Sequence, residues 1–198
     1  MRKFFLFISC LIATAGMSQT AIDNVCYNLN YDFKTAEVTS SPTKYSGTLF
    51  VPSIVYENAT KSHLTVTTIG IRAFKDCFNL TTVNIPSSVK SIGDYAFECS
   101  GLSYINIPNS VNYIGREAFS ECRNLTSIVL PASVTTIGKN AFSKCDELKQ
   151  ITVMNGKPVK IDSTSFPDRA NQILFVPKGS KSAYEGAEFW RDFKEIID

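Results

Sequence analysis

The sequence predicts an α/β repeat solenoid of short parallel strands, and three observations carry that reading. The phrase Ile-Gly-x-x-Ala-Phe occurs four times, at Ile69-Gly70…Ala73-Phe74, Ile92-Gly93…Ala96-Phe97, Ile114-Gly115…Ala118-Phe119 and Ile137-Gly138…Ala141-Phe142, returning after 23, 22 and 23 residues. A second pattern, Leu-x-x-Ile/Val-x-Ile/Leu, starts at Leu80, Leu102 and Leu125, with a decayed copy from Leu148 to Val153. Proline follows the first three copies, as Pro86, Pro108 and Pro131. A unit of this length cannot bury its apolar side chains alone and does so against the next turn of the chain.

Within one unit, alternation at period two makes a short strand, with Val83 and Ile85 inward and Thr82 and Asn84 outward. The proline lacks the amide hydrogen that a parallel ladder needs, so the chain leaves the sheet there. The repeated glycine is expected to adopt a backbone conformation that a side chain would penalise. Phe74, Phe97, Phe119 and Phe142 are expected to stack behind the strands. Cys77, Cys99, Cys122 and Cys145 each stand three residues before a repeat leucine and are expected to line up as one row. Phe97-Glu98-Cys99 is one residue shorter than Phe74-Lys75-Asp76-Cys77, which should tighten that corner without moving the strands.

These residues resemble the BspA-like branch of the leucine-rich repeats. That family's phrase, Ile-Pro-x-Ser-Val-x-x-Ile-Gly-x-x-Ala-Phe-x-x-Cys-x-x-Leu, is met nearly in full from Ile85 to Leu102 and from Ile107 to Leu125, and holds again from Leu130 to Leu148. The resemblance implies a leucine-rich-repeat right-handed horseshoe. It also implies a secreted or cell-surface interaction module of the kind used for adhesion to host proteins or to other cells.

The ends depart from the phrase, as terminal repeats must when one side faces water. Arg2 and Lys3, the apolar run from Phe4 to Ala13 and the small residues Ala15, Gly16 and Ser18 compose a secretory signal, residues 1–18, cleaved after Ala15 or after Ser18. The run is shorter than the about 20 apolar residues that a permanent span requires. Cys10 is read as part of that signal, not as a lipid acceptor, because Leu11, Ile12 and Ala13 continue the run. Residues 19–198 are read as one domain, divided into an N-terminal β cap over 19–47, repeats over 48–170, and a last strand with its C-terminal cap over 171–198. Val25 to Leu29 and Ala36 to Thr39 alternate like a hairpin around Asn30-Tyr31-Asp32. Gly47 to Pro52 reads as the strand of an additional first repeat, followed by an insertion from Tyr56 to Ser62. Ile161 and Phe166 keep the spacing of Ile92 and Phe97, and Ile173 to Pro177 is a final strand. After Ser180, a helix cap, Ala187, Trp190, Phe193 and Ile197 recur at helical spacing and predict an amphipathic helix.

Charge excludes some partners. Removing Arg2 and Lys3 from the 20 basic residues makes them equal in number to the 18 acidic ones, so neither nucleic acid nor an anionic membrane is an expected partner. A row of thiolates about 4.8 Å apart is a line, and zinc wants a tetrahedron. Disulfides between neighbouring turns are compatible with that spacing, and buried free thiols are the reading favoured here. Cys26 has no partner in the repeat. His63, flanked by Lys61 and Ser62, reads as a solvated loop residue, and no catalytic group pairs with it. Asp76, Asp94, Glu98, Glu117 and Glu121 are scattered singles, read as surface charge. The expectation is a protein without cofactor, metal or enzymatic activity. The sequons at Asn58, Asn79 and Asn124 are read as incidental in the bacterial host that the resemblance implies.

What is left is the outward strand surface. Its candidate contacts are Thr82, Asn84, Tyr104, Asn106, Ser127, Val129, Gln150 and Thr152, a neutral strip rich in hydroxyls and amides with one tyrosine. Strand faces of repeat proteins offer extended binding surfaces, and Tyr104 suits either a protein or a sugar. The expected partner is a host extracellular or cell-surface protein. The alternatives are a glycan, or self-association through the strand face or an end.

Overall fold

The computed structural model describes residues 18–198; the signal reading falls on residues that lie, but for Ser18, outside that range. Each repeat runs along three edges, and the edges of successive repeats pair in parallel. The strands, in chain order, are β1 (Ser18–Ile22), β2 (Val25–Asn30), β3 (Thr35–Thr39), β4 (Gly47–Phe50), β5 (Ile54–Glu57), β6 (Ser62–Ile69) and β7 (Leu80–Asn84). They continue as β8 (Ser91–Ile92), β9 (Tyr113–Ile114), β10 (Ser127–Leu130), β11 (Thr136–Ile137), β12 (Gln150–Val153), β13 (Ile173–Phe175) and β14 (Glu195–Ile197).

The first edge is the leucine strand, where β4 pairs with β7, and β10, β12, β13 and β14 form an open parallel sheet. The second edge is the Val-x-x-Ile-Gly segment, where β6, β8, β9 and β11 lie side by side. The third has no strands. Its Ala-Phe turn donates backbone hydrogen bonds to the following repeat, as Phe74 N to Ala96 O (2.7 Å), Phe97 N to Ala118 O (2.7 Å) and Phe119 N to Ala141 O (2.9 Å). The serine of the repeated Pro-x-Ser-Val adds a rung, Ser110 Oγ donating to Val89 O and Ser133 Oγ to Val111 O, both at 2.6 Å.

The core between these edges is a column of aromatic rings. Phe74, Phe97, Phe119, Phe142 and Phe166 are fully buried and stack with centroids 4.9, 5.1, 5.3 and 4.8 Å apart. Rings this close to parallel are the offset-stacked arrangement that aromatic quadrupoles favour. Tyr45 meets the first ring edge-on at 5.1 Å, and Trp190 and Phe193 lean on the last at 5.9 and 5.8 Å.

The repeated glycine is demanded by packing, not by torsion. Gly70, Gly93, Gly115 and Gly138 have ordinary φ; positive φ among the described glycines falls on Gly47 and Gly179. A Cβ on Gly93 would lie 2.9 Å from Gly70 C, on Gly115 2.6 Å from Gly93 C, and on Gly138 2.4 Å from Arg116 N. Each glycine therefore rests on the backbone of the repeat before it. Left-handed backbone is carried by residues with side chains: Arg72, Tyr95, Glu117 and Asn140 in one row, Asp76, Cys99, Glu121 and Lys144 in another. Left-handed backbone costs roughly 1–2 kcal/mol at such a residue. In seven of the eight it turns the N–H toward the next repeat: six reach a backbone carbonyl, as Tyr95 N to Arg116 O (2.8 Å) and Glu121 N to Ser143 O (2.8 Å), and Asn140 N reaches Thr164 Oγ1 (3.1 Å). That bond offsets the strain.

The cysteine row holds Cys77, Cys122 and Cys145, all buried, but Ser100 takes the place expected of Cys99. Ser100 Oγ lies 3.3 Å from Cys122 Sγ, while Cys99 shares the left-handed row of Asp76 and Glu121. The residue missing from this repeat is therefore lost after the row, where Gly101 alone stands between Ser100 and Leu102. A Cβ at Gly101 would fall 2.0 Å from Phe78 O. The inward residues of that strand, Leu102, Ile105 and Ile107, stay buried, but its pairing is reduced. Residues 102–107 form no ladder, and a single bridge, Asn84 to Asn106, is what remains of the pairing there.

The described cysteines are all free thiols. Cys122 Sγ donates to Phe97 O and Cys145 Sγ to Phe119 O, both at 3.1 Å. Burial pushes the Cys122 thiol up to about 12 and raises Cys145 as well. Cys99 is half-buried, and its thiol is raised by desolvation and then by Glu121 and Glu98. Since the thiolate is the reactive form, an aromatic disulfide reagent should modify Cys99 first in the native chain, slowly at neutral pH and faster as pH rises. Cys122 and Cys145 should react only after denaturant is added.

At the N-terminal end, β2 and β3 form the expected antiparallel hairpin, and β1 adds a third strand before β3 continues in parallel with β6. The insertion folds as an antiparallel hairpin, β5 on β6, so His63 is an exposed strand residue whose ring lies 4.8 Å from that of Tyr56. The C-terminal end is not one amphipathic helix. Helix α1 covers only Lys181–Glu185, Phe189 takes φ +64°, and the chain returns as β14 on β13. Trp190 and Phe193 are buried there because they end the aromatic column, and Trp190 Nε1 donates to Val159 O at 2.7 Å.

Candidate functional site

Strand register arranges the outward residues of the first edge in two rows. One runs through Thr82, Tyr104, Ser127 and Gln150, the other through Asn84, Asn106, Val129 and Thr152; the pairs Ser127–Gln150, Val129–Thr152 and Asn84–Asn106 are directly opposed. All eight candidate residues therefore share one face. Tyr104 is 54% exposed and Val129 43%; Asn84, Asn106 and Gln150 are exposed, while Thr82, Ser127 and Thr152 are half-buried between neighbours. Their inward companions Val83, Ile105, Ile128 and Ile151 are buried, which fixes the direction of each outward side chain.

Register also extends both rows to residues that alternation within the end strands could have supplied. Thr48 pairs with Thr82 and Phe50 with Asn84, and Phe50 is 71% exposed. At the other end Ile173 follows Gln150, and Phe175 follows Thr152, with Ile197 beyond it. The face is thus uncharged over its whole middle, with amides and hydroxyls at the centre, apolar side chains at both ends, and Glu195 as the one ionic residue in the two rows. Tyr104 stands where the strand ladder lapses.

Several ion pairs lie instead along the third edge and its corners, and others in the C-terminal cap. Lys75 pairs with Glu98, Arg116 with Glu117 (3.1 Å), Lys144 with Glu121 (2.7 Å) and Arg123 with Glu121 (3.2 Å). Hydrogen bonds from Lys144 and then Arg123 hold the Glu121 carboxyl below its ordinary value. The Tyr95 ring has the guanidinium carbons of Arg72 and Arg116 at 5.2 and 5.3 Å and Lys75 Nζ at 5.7 Å, within cation–π range. These pairs are too exposed to add much stability; they keep charge off the strand face. Among the described residues, no three His, Cys, Asp or Glu converge as a metal site requires, and no helix is long and apolar enough to cross a membrane.

A face of this kind can bind by hydrogen bonding and aromatic contact. Similarity to known proteins agrees with the architecture. Six copies of the BspA type leucine-rich repeat region match residues 55–172. A leucine-rich repeat protein from Bacteroides capillosus is 27% identical over 69% of this chain and 99% of its own, with a TM-score of 0.61. One from Bacteroides ovatus is also 27% identical, over 89% of this chain and 52% of its own, with a TM-score of 0.54. The pneumococcal vaccine antigen PcpA shares the fold at a TM-score of 0.66, with 17% identity over 91% of this chain and 47% of its own. Curated proteins give no match. With open parallel sheets, an aromatic column and the repeated phrase all in register, the chain belongs to the BspA-type leucine-rich repeat proteins.

Proposed function

We propose that the protein is an exported, non-enzymatic interaction module that binds an extracellular or cell-surface protein, of a host or of a neighbouring cell, through its strand face. In this reading residues 1–18 direct export and are removed, and residues 19–198 form one right-handed horseshoe closed at both ends. The observation that carries it is the exposed, uncharged strand face centred on Tyr104 and flanked by Asn84, Asn106 and Gln150. Exposed tyrosine among amides contributes contact area and directional hydrogen bonds with little entropy to lose, which is the usual make-up of an interface hot spot. Because the face lacks charge, binding should vary little with salt.

The test is a pull-down from extracellular-matrix and serum fractions with the mature chain, beside a Tyr104→Ala, Asn106→Ala, Gln150→Ala variant. A protein retained by the wild type and lost by a variant of equal stability supports the proposal. Capture of glycans alone would replace the protein partner by a sugar, and capture of nothing would leave self-association, detectable as a mass that grows with concentration in light scattering.

A further inference from the structure

The repeat that lost a residue carries a cavity at its corner. The flanking repeats place two residues between the buried row and the strand leucine, Phe78-Asn79 on one side and Arg123-Asn124 on the other, where this repeat has Gly101 alone. Its backbone recedes between two full corners and leaves a notch of about 380 Å³. Phe78 forms one wall, Cys99, Ser100 and Gly101 the floor, and Glu121, Arg123 and Asn124 the opposite wall. Gly101 cannot acquire a side chain to fill it, since a Cβ would meet Phe78 O.

The two walls differ in chemistry. Phe78 is 68% exposed, so a large part of its ring is free for contact. Opposite stand a carboxylate, a guanidinium and an amide. Glu121 accepts from Lys144 on Oε1 and from Arg123 on Oε2, and each oxygen keeps a further acceptor position. Arg123 donates one Nη2 hydrogen bond to that carboxylate, leaving further N–H donors for a ligand. An anion entering the notch would meet Glu121, and a cation would meet Arg123. A neutral ring with one apolar face and several hydroxyls avoids both penalties and uses both walls. The volume lies at the small end of ligand pockets, which run from about 300 to 1,000 Å³, and suits a single such ring.

We propose that this notch is a second binding site, for one neutral pyranose residue, whose C–H face lies on Phe78 and whose hydroxyls bond to Glu121, Arg123 and Asn124. It lies on the corner before the strand and uses none of the eight strand-face residues, so it stands or falls independently of the protein partner proposed above.

The experiment is an amide ¹H–¹⁵N titration of the mature chain with neutral methyl pyranosides of gluco, galacto, manno and 2-acetamido configuration. Saturable shifts centred on Phe78, Cys99, Gly101 and Asn124 are expected with at least one of them at millimolar sugar. Phe78→Ala should weaken that binding about tenfold, Asn124→Ala should weaken it as well, and Tyr104→Ala should leave it unchanged. Phe78 and Asn124 are exposed, so an unaltered spectrum elsewhere verifies that both variants fold. Absence of saturable shifts with every pyranoside would overturn the proposal, and so would shifts that centre on Tyr104 and vanish in Tyr104→Ala.

Discussion

Phe119→Ala is expected to lower the unfolding free energy by about 3–5 kcal/mol, the range for truncating a fully buried aromatic. Phe119 is fully buried, with Phe97 and Phe142 stacked on its two faces at 5.1 and 5.3 Å. Truncation therefore removes two aromatic contacts and opens a void in the middle of the column. The backbone around it cannot collapse inward, because the turn on either side is tied to its neighbours, Phe97 N to Ala118 O and Phe119 N to Ala141 O. Against a typical total of about 5–15 kcal/mol, such a loss would be visible as a large fall in the urea midpoint followed by circular dichroism. A fall of less than about 1 kcal/mol would mean that the column does not act as one core.

Gly138→Ala should cost about 3 kcal/mol or more, at the upper end of what overpacking costs. The added methyl would sit 2.4 Å from Arg116 N and 2.5 Å from Gly115 C, and backbone cannot swing aside as a side chain can. Gly47→Ala is the informative comparison. Gly47 has φ +68° with open space around its Cβ position, so its cost is torsional and should be about 1 kcal/mol. If Gly138→Ala cost no more than Gly47→Ala, close approach of the neighbouring backbone would not be the reason for glycine in the repeat.

The parts of the fold that depend on period and alternation were legible in the residues. The strands at Leu80, Leu125 and Leu148, the additional strand at Gly47, the strand at Ile173 and the stacked phenylalanines all follow from side chains that recur and must be buried together, whereas β14 lies beyond the strand at Ile173 expected to be the last. All eight strand-face candidates share one face for the same reason. Features that depend on the contact between repeats were not legible. The glycine column and the left-handed Arg72, Tyr95 and Glu117 are set by where the neighbouring backbone lies, and no residue preference announces them. Cys99 misled because it matches the row in identity but not in distance from Phe97; Ser100, three residues after Phe97 as Cys122 is after Phe119, carries the correct spacing. Trp190 and Phe193 stand three apart because both reach the end of the column, which imitates helical spacing over a stretch that Gly186 and the left-handed Phe189 interrupt.

The lapse of the ladder at Tyr104 has a mechanical meaning. The repeat that carries Tyr104 keeps β9 between β8 and β11 and keeps the Ala-Phe bonds, but along the strand edge it holds on by the single Asn84–Asn106 bridge. Tension applied at Tyr104 would thus enter at the most compliant line of that sheet and be carried to the two intact edges behind it. A partner gripping there could draw the strand outward by a small distance before any ladder sheared. The chain would yield first at the point of grip, with rupture of the stack deferred to higher force.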